Sequence, residues 1–162
     1  VVITVGLNNF LISLINLYIP HGSRDKSKLN YELKVYKNLL SRLKKRRDEK
    51  LVLVGDFNIA HKQVDLARPK QNKSNIMFTP QERKQLDNLV DLSFIDSFRK
   101  YDKQNGNYTW WPWRYNARKR NLGWRIDYTF ISKKLMQGLK NAFINREVEG
   151  SDHCPVSVLL GL

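Results

Sequence analysis

The tetrapeptide Leu51-Val52-Leu53-Val54 is apolar at every position and runs directly into Gly55-Asp56-Phe57-Asn58. Side chains along a strand point alternately to opposite faces, so an unbroken apolar run of this length reads as a strand buried on both sides. The chain must therefore supply cover for two faces of one strand. The polar residues that follow are delivered to the rim of the sheet that the strand joins.

The neighbouring segments can supply that cover. Residues 1–5 and 11–17 read as two strands around an Asn8-Asn9 turn, a hairpin pattern, and the second is apolar on both faces. Residues 18–25 hold Pro20, Gly22 and Ser23 and read as a loop. From Leu29, apolar residues recur at Leu33, Tyr36, Leu39, Leu40 and Leu43 with helical spacing. Lys44-Lys45-Arg46-Arg47 closes this helix where its dipole favours cations, and the same run also suits contact with nucleic acid. A polar loop covers residues 62–77. Thr79-Pro80-Gln81-Glu82 then offers a capping box with proline at the first helical position, and Leu86, Leu89 and Val90 form the buried stripe. Residues 108–113 are aromatic and extended, 116–123 a basic loop, 124–132 an alternating strand and 155–160 a last strand. With no repeat or linker in between, one mixed α/β domain over residues 1–162 accounts for the pattern.

Charge narrows the choice of partner. Lys and Arg number 29 against 15 Asp and Glu, a formal net charge of +14. Such a field attracts polyanions and makes their binding salt-dependent, because bound phosphate releases counterions. Nucleic acid is the first expected partner and an anionic membrane surface the second; a solvated basic face would need neither. Cys154 is the only cysteine, which excludes an intrachain disulfide and a cysteine-rich zinc site and suits an intracellular protein. No run approaches the ~20 apolar residues of a membrane span, and no basic region precedes the apolar run at 10–19 as it would in a secretory signal.

Four constellations carry chemistry. Asp56 and Asn58, at the end of the buried strand, project to one side if the chain stays extended; the carboxylate can bind a metal or accept a proton from water, and the amide can orient that water. Asp-x-Asn also builds plain turns. In Gly150-Ser151-Asp152-His153-Cys154-Pro155 the neighbours Ser, Asp and His point apart, which argues against a serine triad. Asp152 and His153 suit a hydrolytic metal site better, with a carboxylate elsewhere fixing the imidazole tautomer. Asp127 lies in a strand that otherwise reads as buried and so needs a partner, for which His153 and Arg125 are the candidates. Finally, Tyr108 to Arg120 interleaves aromatic rings with Arg and Lys, the makings of a stacking surface beside phosphate-binding charge.

Taken in order, residues 14–20, 53–61, 78–83, 123–128 and 150–155 resemble the exonuclease III family of AP endonucleases, within the endonuclease/exonuclease/phosphatase superfamily. The resemblance implies a two-layer β-sandwich flanked by helices, DNase I-like, and a DNA-repair phosphodiesterase. Such an enzyme incises the backbone 5′ of abasic sites in duplex DNA by Mg²⁺-assisted water attack (Mn²⁺ being the alternative ion), with or without 3′→5′ exonuclease activity. It implies that Asp56 activates the attacking water, that Asn58 holds that water or a phosphate oxygen, and that Tyr18 stands beside the scissile phosphate. His153, steadied by Asp127, donates to the phosphate, and Asp152 lies near the metal. Trp110 and Trp124 line the pocket for a flipped-out sugar, Arg24 and Arg114 enter the duplex, and Asn72, Asn75 and Asn116 contact DNA.

Two departures accompany the match. The family's domain begins with a segment bearing an Asn and the principal metal-binding Glu, for which there is no counterpart before Val1. The expectation is therefore the C-terminal portion of such a domain, with little activity by itself. The second is His21, where relatives often carry Asn. The rival expectations are a superfamily phosphatase acting on lipids or inositols, a retroelement endonuclease, and a catalytically dead DNA-binding module. No obligate protein partner is implied, and the expected compartment is the cytoplasm of a prokaryote or the nucleus or mitochondrion of a eukaryote.

Overall fold

The computed structural model describes residues 2–7 and 10–161. β3 (Leu51–Asp56) is the middle strand of a five-stranded sheet. It pairs in parallel with β2 (Phe10–Tyr18) and antiparallel with β5 (Asp127–Ser132). β1 (Val2–Leu7) and β4 (Phe94–Asp96) complete the order β1-β2-β3-β5-β4. β1 runs antiparallel to β2, with Leu7 opposite Phe10; the expected Asn8-Asn9 turn lies outside the described residues. A second sheet is formed by β6 (Leu139–Ile144) and β7 (Val156–Leu160).

The apolar run is covered as its pattern demands. Leu51 and Leu53, fully buried, join one cluster with Ile15, Tyr36, Leu43, Leu86, Leu89 and Phe130. This layer contains α1 (Leu29–Arg46) and α2 (Pro80–Asp91). Val52 belongs to the other cluster, with Ile12, Ile131, Leu135 and Leu139, against which Val158 and Leu160 pack. One face of the large sheet therefore meets helices and the other meets the small sheet, the two-layer arrangement expected. Burial of that many side chains is the main force for folding, at ~1.5–3 kcal/mol for each large aliphatic or aromatic group.

Helix ends follow local chemistry. Thr79 and Glu82 form the full capping box, Thr79 Oγ1 accepting from the Glu82 amide at 3.3 Å and Glu82 Oε2 from the Thr79 amide at 2.8 Å. Glu82, Leu86 and Leu89 are the buried residues of α2; Val90, expected in that stripe, is 43% exposed near the end of the helix. The strand expected over 124–132 begins only at Asp127, since Trp124 pairs instead with Trp110 and Leu66. β4, the short helix α3 (Ser97–Tyr101) and β6 were not expected; the first two are only three and five residues long, and burial along β6 does not alternate. Among the described residues no helix is long and apolar enough to cross a membrane.

Candidate active site

Strand register builds the site. Tyr18 lies opposite Asp56 across β2 and β3, and Asp56 lies opposite Asp127 across β3 and β5. Three adjacent strands thus end in polar residues on one rim. The parallel β2–β3 pair requires a close approach there. Gly55 has φ +133°, and a Cβ on it would lie 1.9 Å from the Leu17 carbonyl oxygen, so only glycine fits.

Past Asp56 the chain turns instead of staying extended, and Asn58 adopts φ +50°. The turn gathers the pair. Asp56 Oδ1 accepts from the Asn58 amide at 2.8 Å and Oδ2 from its Nδ2 at 3.0 Å, while Nδ2 also donates to the Ile19 carbonyl at 2.8 Å. These are the bonds of a turn, the plainer reading of Asp-x-Asn, and the turn leaves both side chains at the rim. Burial first, and then the charge of Asp127, push the Asp56 carboxyl up to about 6.

Asp127 takes His153 as its partner, Oδ2 lying 2.9 Å from Nδ1. Arg125, the other candidate, turns away because the alternation of β5 does not extend back to it. It is 1% exposed and binds Asp65 Oδ1 at 2.8 Å and Asp96 Oδ2 at 2.6 Å. Arg99 reaches the same Asp65 oxygen at 2.6 Å, so two arginines and two aspartates balance in the interior. Burial pushes the His153 imidazolium down, but the hydrogen bond and charge of Asp127, with Asp56 and Asp152 beyond, outweigh it and hold the pKa above its ordinary value. Oxygen or nitrogen atoms of Asp56, Asp127 and His153 all lie within 4.8 Å of one another, a group that could hold a metal ion.

The remaining residues form a border to this rim. Asp152 stands outside the three-residue group; its Oδ2 accepts from Trp110 Nε1 at 2.9 Å. Trp110 bridges to both Trp124 and His153 and is also a wall of a cleft of about 650 Å³. Arg24, Lys26, Asn75, Arg114 and Trp124 line the same cleft. Asn72 faces its own loop, donating to the Ala67 and Arg68 carbonyls and accepting from Asn75. Asn116 lies in a neighbouring concavity beside Ser151 and Asp152. Tyr18 is 72% exposed at the end of β2, and His21 is spent locally, its Nδ1 accepting from the Ser23 amide at 2.8 Å.

Sequence reasoning passed over two supports. Thr109, fully buried, accepts from the Ile126 and Asp127 amides through Oγ1, each at 3.0 Å, and so fixes the start of β5. Arg118, expected on a basic outer loop, instead donates to the carbonyls of Arg146, Val148 and Ser151 and lies 4.8 Å from the Trp111 ring. It thereby ties down the segment that leads into Asp152 and His153. Neither has a signature in sequence, because both act on backbone atoms remote along the chain.

Fold and rim together define an α/β protein whose acid–imidazole group lies at the ends of central strands, beside a basic, tryptophan-walled cleft. The chain belongs to the Endonuclease/Exonuclease/phosphatase family, whose profile matches residues 7–153. It is 37% identical to an exodeoxyribonuclease of Bacillus subtilis over 99% of this chain and 64% of that protein. It is 39% identical to the DNA repair nuclease APEX1 of Danio rerio over 99% of this chain and 52% of that protein. The chain thus spans about half to two thirds of the length of these curated relatives. An AP endonuclease structure from Archaeoglobus fulgidus superposes with a TM-score of 0.88 at 27% identity, covering 99% of this chain and 65% of the other. The DNase I-like architecture is thereby shared.

Proposed function

We propose that this chain carries the phosphodiester-cleaving site of a DNA-repair nuclease that incises duplex DNA 5′ of abasic sites, with or without 3′→5′ exonuclease activity. The observation that carries the reading is the convergence of Asp56, Asp127 and His153 within 4.8 Å on a rim bordered by the basic cleft. The names of the relatives, an exodeoxyribonuclease, a DNA repair nuclease and an AP endonuclease, support it.

In this reading Asp56 takes the proton of the attacking water, and Asn58, already bonded to it, holds that water or a non-bridging oxygen. His153, with Nδ1 engaged by Asp127, offers Nε2 to the phosphate, and the Tyr18 hydroxyl stands beside it. Trp110 and Trp124 admit an extrahelical sugar that lacks its base, a residue cheaper to extrude than a paired nucleotide. Arg24 and Arg114 enter the duplex from either wall, and Asn72, Asn75 and Asn116 contact its backbone. The donor set suits a hard divalent cation, Mg²⁺ or Mn²⁺, which Asp56 and Asp127 oxygens would hold, with Asp152, Asn58 and His153 at its margin. Such an ion supplies compensation for the negative charge that develops on the phosphate.

The test is incision of a labelled duplex bearing one abasic site, using a polypeptide that extends this chain to the length of its relatives. Mg²⁺-dependent cutting is expected, and Asp56→Ala should reduce it by about two decades or more. Equal cutting of intact duplex would overturn the lesion preference, faster turnover of a phosphoinositide would overturn the substrate class, and salt-sensitive binding without cleavage would leave a DNA-binding module.

A further inference from the structure

Glu32 and Glu82 form a second carboxyl pair, away from the rim and unused by the reading above. Both are completely buried. Glu82 is well supplied with donors: the Met77 amide at 2.7 Å on Oε1, and the Thr79 amide at 2.8 Å and hydroxyl at 2.6 Å on Oε2. Glu32 is not. Neither of its oxygens makes a hydrogen bond of normal geometry among the described residues, although the Gly22 backbone and the Glu82 carboxyl lie against it. An ionised carboxylate buried in this way, with no cation among the described residues that act on it, would cost several kcal/mol.

The position of the pair gives it a purpose. Glu82 anchors the Met77 amide, at the end of a segment whose residues Ser74 to Met77 form one wall of the cleft. Glu32 packs under Gly22, in the loop that bears Arg24 and Lys26, which line the same cleft. A Cβ on Gly22 would come within 2.6 Å of Ile76 Cδ1 and 2.8 Å of Glu32 Oε2, so the loop, the Ile76 wall and Glu32 meet at one point.

We propose that Glu32 and Glu82 share a single proton, and that this shared proton is the clamp holding the Arg24–Lys26 loop against the Ser74–Met77 wall. Glu32 is thus a positioning residue for the cleft, in which DNA is bound if the proposed function holds. Burial, and then the charge of Glu82, push the Glu32 carboxyl up to about 9, which keeps the proton in place at neutral pH. The groups facing the pair are few. Tyr36 follows one turn later on α1, its hydroxyl bonded to the Phe57 carbonyl, with Asp56 beyond it. From α2, Arg83 is directed to the His61 carbonyl at 2.9 Å. The loop presents the Gly22 backbone, while His21, Arg24, Asp25 and Lys26 are exposed, and the wall presents Ile76.

Two measurements on this chain decide the matter. Stability against pH tests the proton without DNA. Because the folded value lies above the ordinary 4.5, the wild type should lose stability as pH rises from there to about 9. Glu32→Gln, which keeps a donor and cannot ionise, should remove that part of the slope; an unchanged slope overturns the shared proton. Affinity for a duplex bearing an abasic analogue tests the clamp. At pH 7, Glu32→Gln should bind as the wild type does, and Glu32→Ala about three- to tenfold more weakly, the equivalent of one hydrogen bond. Equal binding by Glu32→Ala and wild type overturns the clamp while DNA binding stands. Failure of the folded wild type to bind any duplex would remove the DNA reading, and the clamp's role in it, while the pH slope still judges the proton.

Discussion

Asp127 Oδ2 lies 2.9 Å from Nδ1 of His153, joining the start of β5 to a loop 26 residues further along the chain. This contact orients the imidazole and leaves Nε2 available. It also sets the charge of the ring. Against burial, which disfavours the imidazolium, Asp127 holds the His153 pKa above its ordinary value.

Asp127→Asn should therefore lower the His153 pKa, read from ring-proton shifts in metal-free buffer. The sign for stability follows. A raised folded pKa contributes stabilisation that is complete below the ordinary imidazole value and lost as pH rises through the folded one. The variant should show a flatter pH–stability curve in that window. A titration identical to wild type would mean that another group controls the ring.

Asp56 acts in the same direction at lower pH. Its folded carboxyl, pushed up to about 6 by burial and by Asp127, sits above the ordinary 3.8. Without a cation, the Asp56 contribution to stability should be highest below 3.8 and fall as pH rises from there to about 6. Mg²⁺ should reverse this fall at pH 7, and EDTA should bring it back, in thermal melts. Asp56→Asn should remove the Asp56 part of the fall and the response to Mg²⁺; a full response in that variant would place the ion elsewhere.

Gly55→Ala should damage the rim through the backbone alone. The added Cβ meets the Leu17 carbonyl at 1.9 Å and φ is +133°, so β2 and β3 must separate where Tyr18 and Asp56 face each other. A loss of at least ~1–3 kcal/mol in denaturant titrations is expected from the strained conformation. Amide exchange should rise first at residues 17–19 and 55–58. A variant as stable as the wild type would show that the strands tolerate a wider spacing.

DNA affinity should depend on cleft cations one at a time. Replacing Arg114 or Lys26, both lining the cleft, with alanine should weaken duplex binding and reduce the salt slope by about 1 for each phosphate no longer neutralised. The slope is measured from affinities at several salt concentrations. Slopes equal to wild type in both variants would move the DNA path off this face.

Much of this molecule was legible in its residues. The unbroken apolar run at 51–54 demanded cover on two faces and received helices on one and a sheet on the other. The capping box at Thr79 and Glu82 was written in adjacent positions and closed as read. These are local matters, in which alternation, helical spacing and the reach of a side chain to its own backbone decide the outcome. Tertiary structure alone decided which charge meets which. Asp127 had two candidate partners in sequence; the late start of β5 gave it His153 and sent Arg125 to Asp65 and Asp96. Likewise nothing near Glu32 in sequence indicates that α1 and α2 would press it against Glu82 in the interior. Strand register and helix packing join residues tens of positions apart, and burial then assigns each ionisable group the neighbour that sets its protonation.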